Sequence, residues 1–132
     1  MKLYAAILIG GALGSAARFA MATWLDEKAM SDFPWGTFAV NVVGSFIIGL
    51  VAGLSGPNSP LEVPIPELAR VFIMVGICGG FTTFSSFSLQ TVHLMETGHW
   101  FLASGYVLAS VILCLLGTAG GLVVVQAMGA KA

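Results

Sequence analysis

Four long apolar runs constrain this chain more than any other feature. They extend roughly from Leu3 to Leu25, Trp35 to Leu54, Leu68 to Met95 and Trp100 to Met128. Each is long enough to cross a bilayer as a helix, which takes about 20 apolar residues. In hydrocarbon a backbone N–H or C=O has no water to bond, so a spanning segment must satisfy its polar groups internally, as a helix does. The runs therefore predict an all-α membrane protein, one domain over residues 1–132, with four transmembrane helices. Four helices are too few to enclose a transport path, so the path needs a partner subunit. Composition agrees: 58% of the residues are hydrophobic and 8% charged, whereas a soluble domain carries about 25% charged residues. A net charge of −1 offers no basic field to nucleic acid. Lys2, the first apolar run and the small residues before Met21 resemble a secretory signal; the segment is expected to be retained as the first span.

The connections are short and polar. Asp26–Pro34 forms the first, Ser55–Glu67 the second, with Pro57, Pro60, Pro64 and Pro66, and Glu96–His99 a tight turn. Pro34 and Pro66 sit just before helix starts, where a missing N–H matters least. Every run carries a Gly-x-x-x-Gly pair: Gly10/Gly14, Gly49/Gly53, Gly76/Gly80 and Gly117/Gly121. Small residues one turn apart let helices approach closely in lipid, so a tight bundle is expected. With four spans, Lys2, Arg70 and Lys131 face one side of the membrane, Lys28 faces the other, and Arg18 lies nearest that second side. Three against two is barely a bias under the positive-inside rule, which is compatible with insertion in both senses.

Few side chains offer reaction chemistry. No Asp or Glu lies in the interior of a run, which argues against a four-helix drug/proton exporter, since proton carriers inside membranes are usually carboxylates. A non-transporting assembly subunit is a second alternative, supported only by the glycine pairs. Cys78 and Cys114 sit in apolar stretches and read as buried thiols, and His93 and His99 read as interfacial. Arg18 is the one clear charge within a span; it either snorkels to the helix end or attracts an anion. The third run holds the strongest anomaly, Gly79-Gly80-Phe81-Thr82-Thr83-Phe84-Ser85-Ser86-Phe87-Ser88. Gly-Gly weakens a helix, and Thr and Ser offer competing local bonds. The alternatives are a kink with back-bonded hydroxyls or a break whose freed carbonyls face a polar site. Phe84 and Phe87 share a face beyond it, next to a stripe of Ser85, Ser88 and Thr91. An aromatic ring has a positive edge that can meet an anion without a full charge. Polar stripes also mark the second run (Thr37, Asn41, Ser45) and the fourth (Tyr106, Ser110, Cys114, Thr118). Taken singly they serve helix–helix bonding; together they suit a neutral, donor-rich permeation path that binds an ion without trapping it.

These motifs resemble the Fluc (CrcB) fluoride channels over essentially the whole length. The resemblance is carried by Gly11-x-x-Gly14-x-x-x-Arg18-Phe19, Trp35-Gly36-Thr37-x-x-Val40-Asn41-x-x-Gly44 and Gly79 to Ser88. It implies a fluoride-selective passive channel in the cell inner membrane, exporting cytoplasmic fluoride. It also implies an antiparallel, dual-topology homodimer with two pores and a third helix broken at mid-membrane. A central structural sodium ion is implied on the backbone carbonyls of Gly79 and Thr82. The implied pore residues are Asn41, Phe84, Phe87, Thr37, Tyr106 and Ser110, with Ser88 on the helix-three stripe and Arg18 near the entrance. Gln90 departs from the pattern, standing where many members have glutamate, and Cys114 replaces what can be a hydroxyl. An ion channel breaks no covalent bond, so no enzyme is implied.

Overall fold

A computed structural model describes residues 1–56, 59 and 65–129. Pro57, Pro60, Pro64 and Lys131 lie outside the described residues. The described secondary structure is entirely helical: α1 Lys2–Ala29, α2 Trp35–Ser55, α3 Glu67–Val71, a π-helical stretch Phe72–Cys78, α4 Gly79–Phe81, α5 Phe84–Glu96 and α6 Trp100–Gly129. Four continuous or nearly continuous helical units, Lys2–Ala29, Trp35–Ser55, Glu67–Glu96 and Trp100–Gly129, are long and apolar enough to cross a membrane. The expected boundaries shift at one place by more than two residues. The first helix continues past Leu25 to Ala29, because polar Asp26, Glu27 and Lys28 at a helix end lie beyond the apolar run. Asp26 also ties the end of α1 to the start of α2, its Oδ1 accepting the Gly36 N–H at 2.7 Å.

The glycine pairs set the packing. α1 lies on the third span, where a Cβ on Gly10 would stand 2.7 Å from the Phe72 carbonyl oxygen and one on Gly14 would strike the Ile77 carbonyl. α2 lies on α6, where a Cβ on Gly121 would stand 2.5 Å from the Phe46 carbonyl oxygen and one on Gly49 would strike that of Thr118. The backbones touch, and dispersion replaces the hydrophobic drive that lipid cannot supply. Thr118 adds a bond across the pair, donating to the Ser45 carbonyl at 3.1 Å. The turn between α5 and α6 is a Schellman cap. The His99 amide bonds to the Leu94 carbonyl at 2.8 Å and that of Gly98 to Met95 at 3.1 Å, with Gly98 at φ 83°, a left-handed conformation suited to glycine.

Large apolar side chains such as Leu8, Phe19, Leu108 and Leu115 point outward. On a soluble protein such a surface would be untenable; on a helical unit solvated by lipid it is the expected exterior. A smaller buried cluster of Phe87, Leu94, Ala103 and Tyr106, edged by Phe33 and Phe38, joins α5 to α6 and α2.

Candidate functional site

The third span leaves helical geometry at two residues, Thr82 (φ −83°, ψ 156°) and Thr83 (φ −152°, ψ 115°). A helix interrupted this way must find new partners for its freed amides and carbonyls, and here one side chain from α2 supplies most of the repair. The Thr83 N–H donates to Asn41 Oδ1 at 2.7 Å, and Asn41 Nδ2 donates to the Thr83 carbonyl at 3.1 Å. The amide of Asn41 thus imitates a strand neighbour for one residue. Thr83 in turn caps α5, its Oγ1 accepting from the Ser86 N–H at 3.2 Å. Thr82 closes the upstream end: both its N–H and its Oγ1 donate to the Cys78 carbonyl, each at 2.9 Å.

These substitutions leave a defined remainder. In an unbroken helix the amide four residues on bonds each carbonyl, so Gly79 would be matched by the Thr83 N–H and Thr82 by the Ser86 N–H. Both amides are committed to side chains, Asn41 and Thr83 respectively. The carbonyls of Gly79 and Thr82 therefore retain acceptor capacity, and Gly79 is exposed on the surface of the chain. No cluster of three or more His, Cys, Asp or Glu able to hold a metal is present among the described residues. Neutral carbonyls with no carboxylate fit a hard, weakly held monovalent cation, the kind that unwound helices coordinate.

A groove of about 460 Å³ opens beside the break. Asn41 and Ser45 from α2, Gly79, Thr82, Thr83, Phe84 and Phe87 from the third span, and Ser110 and Cys114 from α6 contribute to its wall. Ser110 is buried, and its hydroxyl has no hydrogen-bond partner. A buried hydroxyl left unmatched is unfavourable by about 1–3 kcal/mol, so this donor is available to whatever enters. Phe84 and Phe87 have ring centroids 5.4 Å apart, tilted at 46°, yet differ sharply in setting: Phe87 is 9% exposed and Phe84 78%. Phe87 packs against Tyr106 with ring centroids 5.1 Å apart and the rings tilted at 52°, whereas Phe84 projects from the rim. The groove is therefore open on the side where Phe84, Val111 and Leu115 stand exposed.

Of the residues singled out in the sequence, Asn41, Phe84, Phe87, Ser110, Gly79 and Thr82 meet in this groove. Thr37, Tyr106, Ser88 and Arg18 are not part of its wall. Thr37 and Tyr106 lie buried, and the Tyr106 hydroxyl donates to Gln90 Oε1 at 3.1 Å. Ser88 Oγ donates back to the Phe84 carbonyl at 2.9 Å, and Thr91 likewise to Phe87 at 2.8 Å. The third run thus breaks at Thr82–Thr83 rather than merely kinking, although the Ser88 and Thr91 hydroxyls beyond the break are back-bonded. Arg18 is partly buried on α1. His99 lies 3.9 Å from Asp32, both well exposed, and Thr97 shares a hydrogen bond with His99. A smaller cavity of about 180 Å³ adjoins this end, bordered by Asp26, Asp32, Gln90 and His93.

Two contributors are hard to find from the sequence. Thr83 caps the helix that resumes after the break, and only its position as a Thr three residues before Ser86 hints at a cap. Gln90 stands out as a departure from the motif, but its bond to Tyr106 depends on α5 meeting α6.

Residues 5–122 match the family model described as CrcB-like protein, Camphor Resistance (CrcB). The chain belongs to the CrcB family. Relatives are similar along nearly the full length. A protein of Opitutus terrae named a fluoride-specific ion channel, FluC, is 51% identical over 116 residues, covering 88% of this chain and 86% of the relative. One of Methylocella silvestris with the same name is 49% identical, covering 95% and 94%. One of Paramagnetospirillum magneticum, again so named, is 47% identical over 88% and 89%. Four apolar helices place this member of the family among multi-pass membrane proteins.

Proposed function

We propose that this chain is a passive, fluoride-selective channel of the cell inner membrane that lowers cytoplasmic fluoride. The names of its CrcB relatives supply the ion. The observation that carries the reading to these residues is the groove at the break, where Asn41, the unpartnered Ser110 hydroxyl and the Phe87 ring border one small space with no acidic side chain. Fluoride is small and strongly hydrated. Neutral donors and ring edges can replace its water without the full charge that would hold it fast. No covalent bond changes, so the chain is a channel and not an enzyme.

The working unit is an antiparallel homodimer with two pores. One protomer leaves its groove open, and the near balance of Lys2, Arg70 and Lys131 against Lys28 and Arg18 imposes little preference on insertion. The break then lies at mid-membrane, where the Gly79 and Thr82 carbonyls of the two copies would hold a sodium ion. When bound, sodium supplies a fixed positive charge near the path, which favours a passing anion. Thr37, Tyr106 and Ser88 extend the donor track beyond the groove, and Arg18 draws anions toward the entrance. Tyr106 reaches this track through Gln90, which replaces a repelling carboxylate with a neutral amide.

Reconstitution into fluoride-loaded liposomes, read with a fluoride electrode, is the deciding experiment. A leak no faster than that of protein-free vesicles sinks the channel reading, and proton-driven uptake of a cationic dye would revive the exporter. Asp and Glu in the described spans stand only near helix ends, at Asp26, Glu27, Glu67 and Glu96, which disfavours that alternative. Phe87→Ile is expected to slow fluoride efflux while the dimer persists on size exclusion, because the ring edge is lost and the apolar volume mostly kept. Unchanged efflux would count against the aromatic role. Exchange of all sodium for N-methylglucamine during purification is expected to reduce both dimer stability and efflux, with recovery on adding sodium back. Identical behaviour in the two buffers would remove sodium from the proposal.

A further inference from the structure

The groove also carries donors that a hard anion does not use. Met74, Cys78 and Cys114 all contribute to its wall. Met74 and Cys78 stand four residues apart in the π-helical stretch, a spacing close to one turn of its wide coil, and Cys114 borders the same groove from α6. Neither cysteine is in a disulfide. Cys78 is buried and Cys114 only partly so. The backbone around both sulfurs is fixed: Thr82 occupies the Cys78 carbonyl and Thr118 donates to that of Cys114 at 3.1 Å. A second, independent feature points into the same space, the buried hydroxyl of Ser110, which lacks a partner. Thiolate and thioether sulfur are soft ligands that select soft cations and leave hard ones to oxygen. The wall therefore carries both kinds of donor, oxygen from Asn41, Ser45, Thr82, Thr83 and Ser110 and sulfur from Met74, Cys78 and Cys114.

We propose that Cys114, Cys78 and Met74 form a binding site for a soft monovalent cation of the copper(I) and silver(I) class, and that its occupancy obstructs the anion path. Cys114, the more exposed thiol, gives up its proton to water and forms the metal–thiolate bond. The Cys78 thiol or the Met74 thioether adds a neutral second bond. One proton leaves for each univalent cation bound, so the occupied site gains no net charge, as an apolar setting requires. The seated ion then stands in the groove beside Asn41 and Ser110. A bulky thiol reagent meets Cys114 first, whereas a bare cation is small enough to reach Cys78 as well.

Silver nitrate in chloride-free buffer is the probe, added to purified full-length protein and counted by native mass spectrometry. One silver per chain with loss of one proton is expected, with retention lost in Cys114→Ser and weakened in Met74→Leu. Silver held equally by Cys114→Ser, or two independent silvers per chain, overturns the site. The block is read separately and rests on the proposed fluoride reading. Silver is expected to stop fluoride efflux from liposomes, dithiothreitol to restore it, and Cys114→Ser to escape the silver effect relative to its own silver-free rate. Silver bound without any slowing overturns the obstruction. If the silver-free protein passes no fluoride at all, the channel reading fails, while the silver count still judges the site.

Discussion

Asn41→Asp is expected to abolish fluoride efflux from reconstituted vesicles, although the two side chains are nearly the same size. Asn41 serves Thr83 with both ends of its amide, accepting from the N–H at 2.7 Å and donating to the carbonyl at 3.1 Å. A carboxylate keeps the acceptor and loses the donor, so the Thr83 carbonyl faces a negative oxygen. The carboxylate also places a charge on the wall of the proposed anion path. Two like charges at about 4 Å in a medium of effective dielectric about 20 repel by about 4 kcal/mol, enough to reduce occupancy by about three orders of magnitude. Asn41→Ala separates the two effects. It adds no charge but strips Thr83 of both partners, a loss of about 1–3 kcal/mol for each polar group left unmatched. Its efflux is expected to fall less than that of the Asp variant and its thermal stability to fall more. Efflux of Asn41→Asp within about twofold of the native rate, less than 1 kcal/mol on the same scale, would overturn the placement of Asn41 on the path.

The second large effect is on assembly. Gly14→Ala is expected to prevent recovery of a monodisperse protein, or to lower its melting temperature in detergent sharply. A Cβ there would strike the Ile77 carbonyl oxygen and stand 3.0 Å from the Phe81 amide nitrogen, both backbone atoms. Backbone cannot rotate aside, so α1 must move off the third span. Overpacking of this kind is unfavourable by about 1–3 kcal/mol or more, and the displaced contact lies one turn before the break. Gly11→Ala is the matched control. Nothing lies within 4 Å of a Cβ at Gly11, and alanine is a better helix former than glycine by about 1 kcal/mol. Fluorescence-monitored melting of both variants in the same detergent tests the pair. Equal melting temperatures would mean that the α1 contact is not the tight one described.

Both variants sit in motifs that are visible as letters, yet their roles differ in how far the letters reach. The Gly-x-x-x-Gly pairs announce close packing, and do not say that a Cβ at Gly14 would strike Ile77 while one at Gly11 would meet nothing within 4 Å. Helical periodicity resolves faces only to about one residue in three or four, too coarse to separate neighbours on adjoining faces. The polar stripes are legible at correct spacing and are divided by the fold. On α6, Ser110 turns to the groove, Thr118 bonds back to α2, and Tyr106 is taken by Gln90. A hydroxyl's partner depends on which helix comes alongside, and that is a property of packing rather than of spacing.

The sequence alone determined that this chain lives in a membrane as four helices, because length, apolarity and the need to satisfy backbone groups leave lipid no other arrangement. It also marked the third span as the weak helix, since Gly-Gly and a run of hydroxyls act locally. The tertiary structure alone decided where that helix stops and what it exposes. Asn41 lies 42 residues before Thr83 in the chain, and only when α2 packs beside the third span does its amide capture the Thr83 N–H and carbonyl. A break is local in origin, but it persists only where a distant side chain replaces the hydrogen bonds it gives up. That replacement leaves the Gly79 and Thr82 carbonyls with acceptor capacity to spare.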